Sequence, residues 1–291
     1  MKRILLNIKL LKRAYITTLT AVTAIVSFLL LFINKEELGI KSAGRGVLCI
    51  VIMLIAPLFI AILKVCCYRT AIIKGDKPVI KVQYGDLWKI AFPKKKSDMR
   101  IVVINVNTTF DVIVDEDVVN IQKPLVSPTT MHGQLIKKLK EKGVDPETLL
   151  KEIKKSLNAQ GISPKKTISR DIKPRGELDS YGKGTIAVYK YENTIFYLLA
   201  FSEFDENNNA HNSKDEMIRT VTTLVDYYNK HGQGYKMFVP LMGVGMSRTG
   251  ISEKDSLKIL SSLFDIHNDK LQGEVSIVVY EKDRDKVSID V

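Results

Sequence analysis

Cysteine is scarce in this chain. There are three in 291 residues, Cys49, Cys66 and Cys67, and none follows residue 67. A disulfide framework or a thiolate metal site in residues 68–291 is thereby excluded, and no Cys stands at metal-ligand spacing from a His. Acidic residues are scarce at the other end. Residues 1–67 carry nine Lys/Arg but only Glu36 and Glu37, whereas residues 68–291 carry 35 basic and 30 acidic residues. Much of the net charge of +12 therefore comes from the N-terminal quarter. A nucleic-acid partner is not needed to explain it. Internal repeats and low-complexity tracts are also missing.

What the N-terminal quarter does contain is long apolar runs. Ala14 to Ile33 reads AYITTLTAVTAIVSFLLLFI without a charge, and Val47 to Leu63 reads VLCIVIMLIAPLFIAIL. A hydrocarbon core of about 30 Å takes roughly 20 apolar residues as helix. The first run meets that length. The second meets it when Lys64 snorkels and Val65 to Cys67 complete the span. The length of the first run, with no small-residue cleavage site after it, argues against a signal peptide. Lys2, Arg3, Lys9, Lys12 and Arg13 precede the first run, and Lys64, Arg69, Lys74, Lys77 and Lys81 follow the second. By the positive-inside rule both termini are cytoplasmic and the protein is a multi-pass protein of the cell membrane. The expected organisation is a basic N-terminus over 1–13, two transmembrane helices within 14–67 (about 14–33 and 47–67), and a cytoplasmic ligand-binding domain over 68–291. Cys66 and Cys67 are ordinary membrane-helix residues, or sites of S-palmitoylation.

The remaining 224 residues suffice for one sizeable core. Strand patterns occur at Val79–Tyr84, Ile101–Val106, Thr185–Tyr191, Thr194–Phe201, Lys236–Met242 and Glu274–Tyr280, with a hairpin turn at Glu192-Asn193. Helical periodicity covers Gly133–Lys142, Pro146–Ala159, Lys214–Lys230 and Glu253–Ile266. Asp145-Pro146 predicts a cap with Pro at the first helical position. Ser252 with Asp255 predicts a capping box. Strands alternating with helices give an α/β sandwich with a mixed sheet. IVVINV and MFVPLM do not alternate, so both are expected as central strands. Ligands of such sheets bind outside the carboxyl ends of the strands.

Four stretches place polar groups at strand ends: YGDLWK with Asp86, VVINVNTTFD with Asn105 and Asn107, VSPTTMHGQLI with Thr129, Thr130, His132 and Gly133, and VPLMGVGMSRTG with Gly243, Val244 and Gly245. In the last, Met246, Ser247 and Arg248 follow the glycines and precede a helix. A diphosphate needs several N–H donors converging at short range. Glycines allow the approach, a helix N-terminus adds favourable partial charge, and Arg248 can add a charge-assisted contact. Each stretch also has a plainer reading. Asp86 serves as a cap, Asn107 bonds the local backbone, His132 is a loop residue, and Gly243-Val244-Gly245 makes a turn. The lysines at 137, 138, 140, 142, 151, 154, 155, 165 and 166 read as a solvated face that could also meet anionic lipid.

In this order the four stretches resemble a macrodomain, the ADP-ribose-binding fold, over roughly Val79 to Tyr280. That resemblance implies a three-layer α/β/α sandwich behind a two-helix transmembrane hairpin. It implies that Asp86, followed by Leu87, reads the adenine amino group. It implies that Asn107, or Asn105, holds the distal ribose. The Thr129–Gly133 and Gly243–Arg248 loops would enclose the diphosphate, with His132 at the sugar or its substituent. With VNTTFD, SPTTMHGQ and two membrane helices, the chain looks like the membrane effector of type II Thoeris anti-phage defence. Such an effector senses an ADP-ribose derivative, understood to be its histidine conjugate, made by a partner TIR-domain enzyme. It then forms a homo-oligomer and disrupts membrane lipid, an abortive-infection response. No metal, no other cofactor and no catalytic residues are implied. The first loop has lost most of the glycines that hydrolytic macrodomains keep, which leaves a membrane-anchored ADP-ribosyl hydrolase as the alternative.

Overall fold

The computed structural model describes residues 2–33, 42–76, 78–95, 97–117, 121, 124–204, 210–211, 213–244 and 250–290. The chain forms two compact units, Met1–Ala71 together with Lys282–Asp290, and Ile72–Glu281.

The first unit is helical. α1 spans Lys2–Leu6, α2 Ile8–Leu29 and α3 Ala43–Cys67, and α2 packs along α3. In α2 the hydroxyls of Thr17, Thr18 and Thr23 donate to the carbonyls of Arg13, Ala14 and Leu19, 2.7–2.9 Å away. Their polar atoms are thus satisfied within the helix, as an apolar surrounding requires. Among the described residues one helix, α3, is long and apolar enough to cross a membrane. α2 differs from the expected span because it starts at Ile8 and carries Lys9, Lys12 and Arg13 in its first turns, and because it ends at Leu29 rather than Ile33. Its charge-free part is short of the roughly 20 residues a span needs.

Residues 282–290, expected within the ligand-binding domain, fold instead with the helices. The guanidinium of Arg284, only 6% exposed, donates through Nη2 to the carbonyls of Cys66 (3.1 Å) and Tyr68 (2.9 Å). These are among the carbonyls that a helix C-terminus leaves without an intrahelical donor. Val287 and Ile289 are buried, Ser288 Oγ donates to Asn7 Oδ1 at 2.7 Å, and Arg3 and Arg13 pair with Asp285 and Asp290.

The second unit is built on one sheet. Its strands are β1 (Thr70–Lys74), β2 (Ile80–Gly85), β3 (Arg100–Asn107), β6 (Ile186–Tyr191), β7 (Thr194–Phe204), β8 (Ala210–His211), β9 (Lys236–Pro240) and β10 (Val275–Tyr280); β4 (Lys166–Thr167) and β5 (Asp179–Ser180) make a separate ribbon. The order is β1-β2-β10-β9-β3-β7-β6, with β8 paired to β7. β2, β10, β9, β3 and β7 are parallel neighbours, whereas β6 and β8 run antiparallel to β7, so the sheet is mixed as expected. The two non-alternating segments are indeed central. β3 lies between β9 and β7, and β9 between β10 and β3.

Helices cover both faces. α4 (Leu87–Ala91), α5 (Met131–Glu141) and α6 (Pro146–Ala159) place Leu87, Leu135, Leu139, Ile153 and Leu157 against Val102, Ile104, Leu198 and Val278. By the two-residue period of a strand, Ile101, Val103 and Tyr197 turn to the opposite face. There α7 (Lys214–His231) packs on β7 and α8 (Glu253–Ile266) on β10, with Tyr197 edge-on to Tyr227 at 5.2 Å. The expected starts are found. Asp145 Oδ1 accepts from Thr148 N at 2.9 Å, with Pro146 in the first turn of α6. Ser252 Oγ caps α8 by accepting from Asp255 N at 3.2 Å. The Asp255 carboxylate takes the Ser252 hydroxyl at 2.6 Å, where a capping box would take the backbone N–H.

Candidate ligand-binding site

Because β2, β3, β9 and β10 are parallel, Gly85, Asn107, Pro240 and Tyr280 all end at one side of the sheet. Three of the stretches singled out above, those that leave β2, β3 and β9, therefore follow the same crest, and the stretch into α5 is tied to the loop after β3 by the hydrogen bond of His132 to the Asp111 backbone. Asp86 leaves β2 and caps α4, its Oδ1 accepting from Trp88 N at 2.9 Å. Leu87 is buried in the core beneath, so its contribution to a crest site is confined to its backbone. Trp88 Nε1 donates to Gln134 Oε1 at 2.7 Å and ties α4 to α5.

Asn105 and Asn107 share a face of β3 but differ in their bonding. Asn107 is consumed locally. Its Nδ2 donates to Asp111 Oδ2 at 2.9 Å and its Oδ1 accepts from Asp111 N at 3.0 Å. Asn105 Oδ1 is buried and has no partner among the described residues. A buried carbonyl oxygen without a donor costs about 1–3 kcal/mol, so it is the polar atom here with most to gain from a ligand hydroxyl.

The loop into α5 is a tight cap. Thr130 Oγ1 donates to Ser127 O at 2.8 Å and accepts from Gly133 N at 3.1 Å, while Ser127 Oγ and Thr129 Oγ1 lie 2.9 Å apart. Gly133 is required by close approach, since a Cβ there would stand 2.2 Å from Ser127 O. His132 is not a solvent-facing loop residue. It is 7% exposed. Burial drives its pKa down to about 4 against the opposing pull of Asp111, to whose backbone it is hydrogen-bonded. Its ring is neutral at physiological pH.

After β9, Met242 N donates to Ser256 Oγ at 3.0 Å and Ser256 Oγ donates to Met242 O at 2.6 Å, fixing the strand exit against α8. Gly243 follows with φ +75°, a left-handed conformation that suits glycine, and Val244 succeeds it. Gly245, Met246, Ser247 and Arg248 lie outside the described residues.

Sequence reasoning missed the network below β3. Asp111 has no exposed surface and Lys173 is 3% exposed; Lys173 Nζ reaches Asp111 Oδ2 at 2.6 Å, Thr109 Oγ1 at 2.8 Å and Glu177 O at 2.6 Å. Glu177 N donates to Asp111 Oδ1 at 2.8 Å. Burial pulls the Lys173 pKa down, with Asp111 opposing. Gly176, at φ +77°, lies so close that a Cβ would stand 2.2 Å from Asp111 Oδ1. One step along, Arg175 grips Asp115 with two bonds of 3.0 and 2.7 Å. Burial would raise the Asp115 pKa, but Arg175 and the Leu125 N–H outweigh it and leave it lowered. The only sequence signal was two opposite charges 62 positions apart in polar context, which names no pair.

Most of the lysines read as a solvated face are exposed, as expected, and several are also paired. Lys137 pairs with Glu116 at 2.9 Å and Lys154 with Glu177 at 2.6 Å, and the ammonium groups of Lys138 and Lys142 lie over Trp88 and Phe92. Among the described residues no group of His, Cys, Asp and Glu is placed to hold a metal.

A mixed sheet with this strand order, helices on both faces and loops gathered at one crest defines a three-layer α/β domain. Residues 80–280 match the family model described as Thoeris protein ThsA, Macro domain, and the chain belongs to that family. It is 23% identical to the Thoeris protein ThsA of Bacillus amyloliquefaciens (strain Y2) over 214 residues, which is 72% of this chain and 65% of that protein. It thus spans less than two thirds of that relative. Similar solved structures include an Oceanobacillus iheyensis macrodomain mutant with ADPR (10% identity, 74% of this chain and 92% of that chain, TM-score 0.41). Another is the macrodomain of Mycobacterium tuberculosis DarG (13% identity, 68% and 96%, TM-score 0.38).

Proposed function

We propose that this chain is a membrane-bound anti-phage effector whose macrodomain senses an ADP-ribose-derived signal, the histidine conjugate of ADP-ribose first among candidates, produced by a TIR-domain partner. On binding, it oligomerises and the N-terminal helices disrupt the membrane. Both termini and the macrodomain are cytoplasmic in this reading, with α3 as one span and α2 as the other, its short charge-free part extended where Lys12 and Arg13 snorkel to the interface. Membership of the ThsA macro-domain family supports the defence role. The observation that carries the ligand is the buried, unpartnered Asn105 Oδ1 at the carboxyl end of β3. On the same side of the sheet, the left-handed Gly243 follows β9, the strand next to β3, and Asp86 follows β2 farther along.

Sensing is favoured over hydrolysis by the state of the nearby groups. Asp111 and Asp115 are engaged by Lys173 and Arg175, and the His132 imidazole is neutral and bonded to Asp111. Isothermal titration of the full chain in detergent with ADP-ribose and with its histidine conjugate tests the reading. Binding is expected, and Asn105→Ala should weaken it about tenfold, the value of one well-made hydrogen bond. Absence of binding by both ligands overturns it. Turnover of an ADP-ribosylated substrate would transfer the site to the hydrolase reading.

A further inference from the structure

We infer a second, separate anion-binding site in the macrodomain, a cavity of about 300 Å³ between the end of β7 and the first half of α7. Four cations line it, Lys165, Lys166, Lys183 and Arg219, against two carboxylates, Glu203 and Glu216. Lys166 pairs with Glu203, and Lys183 with Glu216 at 2.7 Å. Lys165 and Arg219 have no carboxylate partner among the described residues. Among the described residues its lining thus holds two more cations than carboxylates. Ser180 and Thr220, both buried, add hydroxyls to its wall. Exposed Lys–Glu pairs contribute only about 0–1 kcal/mol, so an entering dianion can draw Lys166 away from Glu203 at little cost. A guanidinium, ammonium groups and hydroxyls around a small concavity suit a phosphate-class anion.

The position gives the site a connection to the crest. Lys165 N donates to Ser180 O at 2.8 Å, Tyr181 N to Thr108 O at 2.9 Å, and Ser180 Oγ to Thr108 Oγ1 at 3.1 Å. Thr108 directly follows Asn107, and Asn107 is in register with Ser202 of β7. The cavity wall is therefore hydrogen-bonded to the end of β3, the strand that carries Asn105 of the nucleotide site proposed above. It belongs to a different set of residues and does not rest on that proposal.

The test titrates full-length protein in detergent with pyrophosphate, alone and in saturating ADP-ribose. One pyrophosphate should bind in both cases. Arg219→Gln, at an exposed position, should weaken it about tenfold, and Lys165→Gln should weaken it in the same direction, with ADP-ribose affinity unchanged. Glu203→Gln should strengthen pyrophosphate binding, an effect opposite to any loss of structure. Loss of pyrophosphate binding in the presence of ADP-ribose, or unchanged affinity in both Arg219→Gln and Lys165→Gln, overturns the inference. If ADP-ribose itself does not bind, the nucleotide reading fails, and the variants with pyrophosphate alone still decide this one.

Discussion

Lys173 Nζ and Asp111 Oδ2 lie 2.6 Å apart, and both side chains are withdrawn from solvent. The pair is completed by Thr109, Asn107 and the backbone of Glu177. A charge so enclosed has no substitute partner. Lys173→Met should cost ~3–5 kcal/mol, because it leaves the Asp111 carboxylate buried and uncompensated. Replacing both residues with apolar ones of similar size should cost less than Lys173→Met alone. Urea denaturation of the full chain in detergent measures both, and equal costs for single and double variants would show that the pair is not coupled.

Acid sensitivity should follow from His132. Its folded pKa is lowered from 6.5 to about 4, so the unfolded chain takes up its proton first. The stability it contributes is complete above pH 6.5 and is lost as pH falls through 4. The full loss is ~3 kcal/mol, from about 2.5 units at 1.36 kcal/mol each. Carboxylates titrate in the lower part of that window, so the diagnostic quantity is a difference. The slope between pH 6.5 and 5 should be smaller in His132→Gln, whose amide can still donate to the Asp111 backbone. An identical slope in both proteins would assign the effect elsewhere.

Gly133→Ala should destabilise the crest by ~1–3 kcal/mol, since its Cβ cannot fit 2.2 Å from the Ser127 carbonyl without moving the cap loop. ADP-ribose affinity should fall with it. Hydrogen exchange at Thr130–Gly133 would rise, and unchanged protection would show that the loop absorbs the methyl.

Arg284→Ala should release the segment 282–290 from the helical unit, because the guanidinium supplies two bonds to the Cys66 and Tyr68 carbonyls and is itself buried. Charge-assisted bonds of this kind contribute ~1.5–3 kcal/mol each. Limited proteolysis should cut after residue 281 faster in the variant, with ADP-ribose binding unaltered.

Sensing and membrane action should separate. Ile52→Arg, at an exposed position within α3, places a charge where insertion costs at least ~2.5 kcal/mol. Ligand binding should persist while leakage of dye-loaded vesicles stops. Leakage at the wild-type rate would refute the assignment of membrane action to this helix.

The repeating elements were written in local pattern. β3 and β9 lacked alternation and proved central because a strand covered on both faces has no polar side. Asp145-Pro146 and Ser252 set their helix starts because capping is decided within three residues. The family resemblance also lay in short stretches, at Gly85-Asp86, Asn107 and Gly243. What only the tertiary structure decided came from contacts distant in sequence. It assigned Asn107 to Asp111 and left Asn105 as the unpartnered amide. It buried His132, joined Lys173 to Asp111, and brought residues 282–290 back to the N-terminal helices. Pairings of this kind depend on long-range closure of the sheet, and their energies arise from shared burial, which no single segment carries in its own composition.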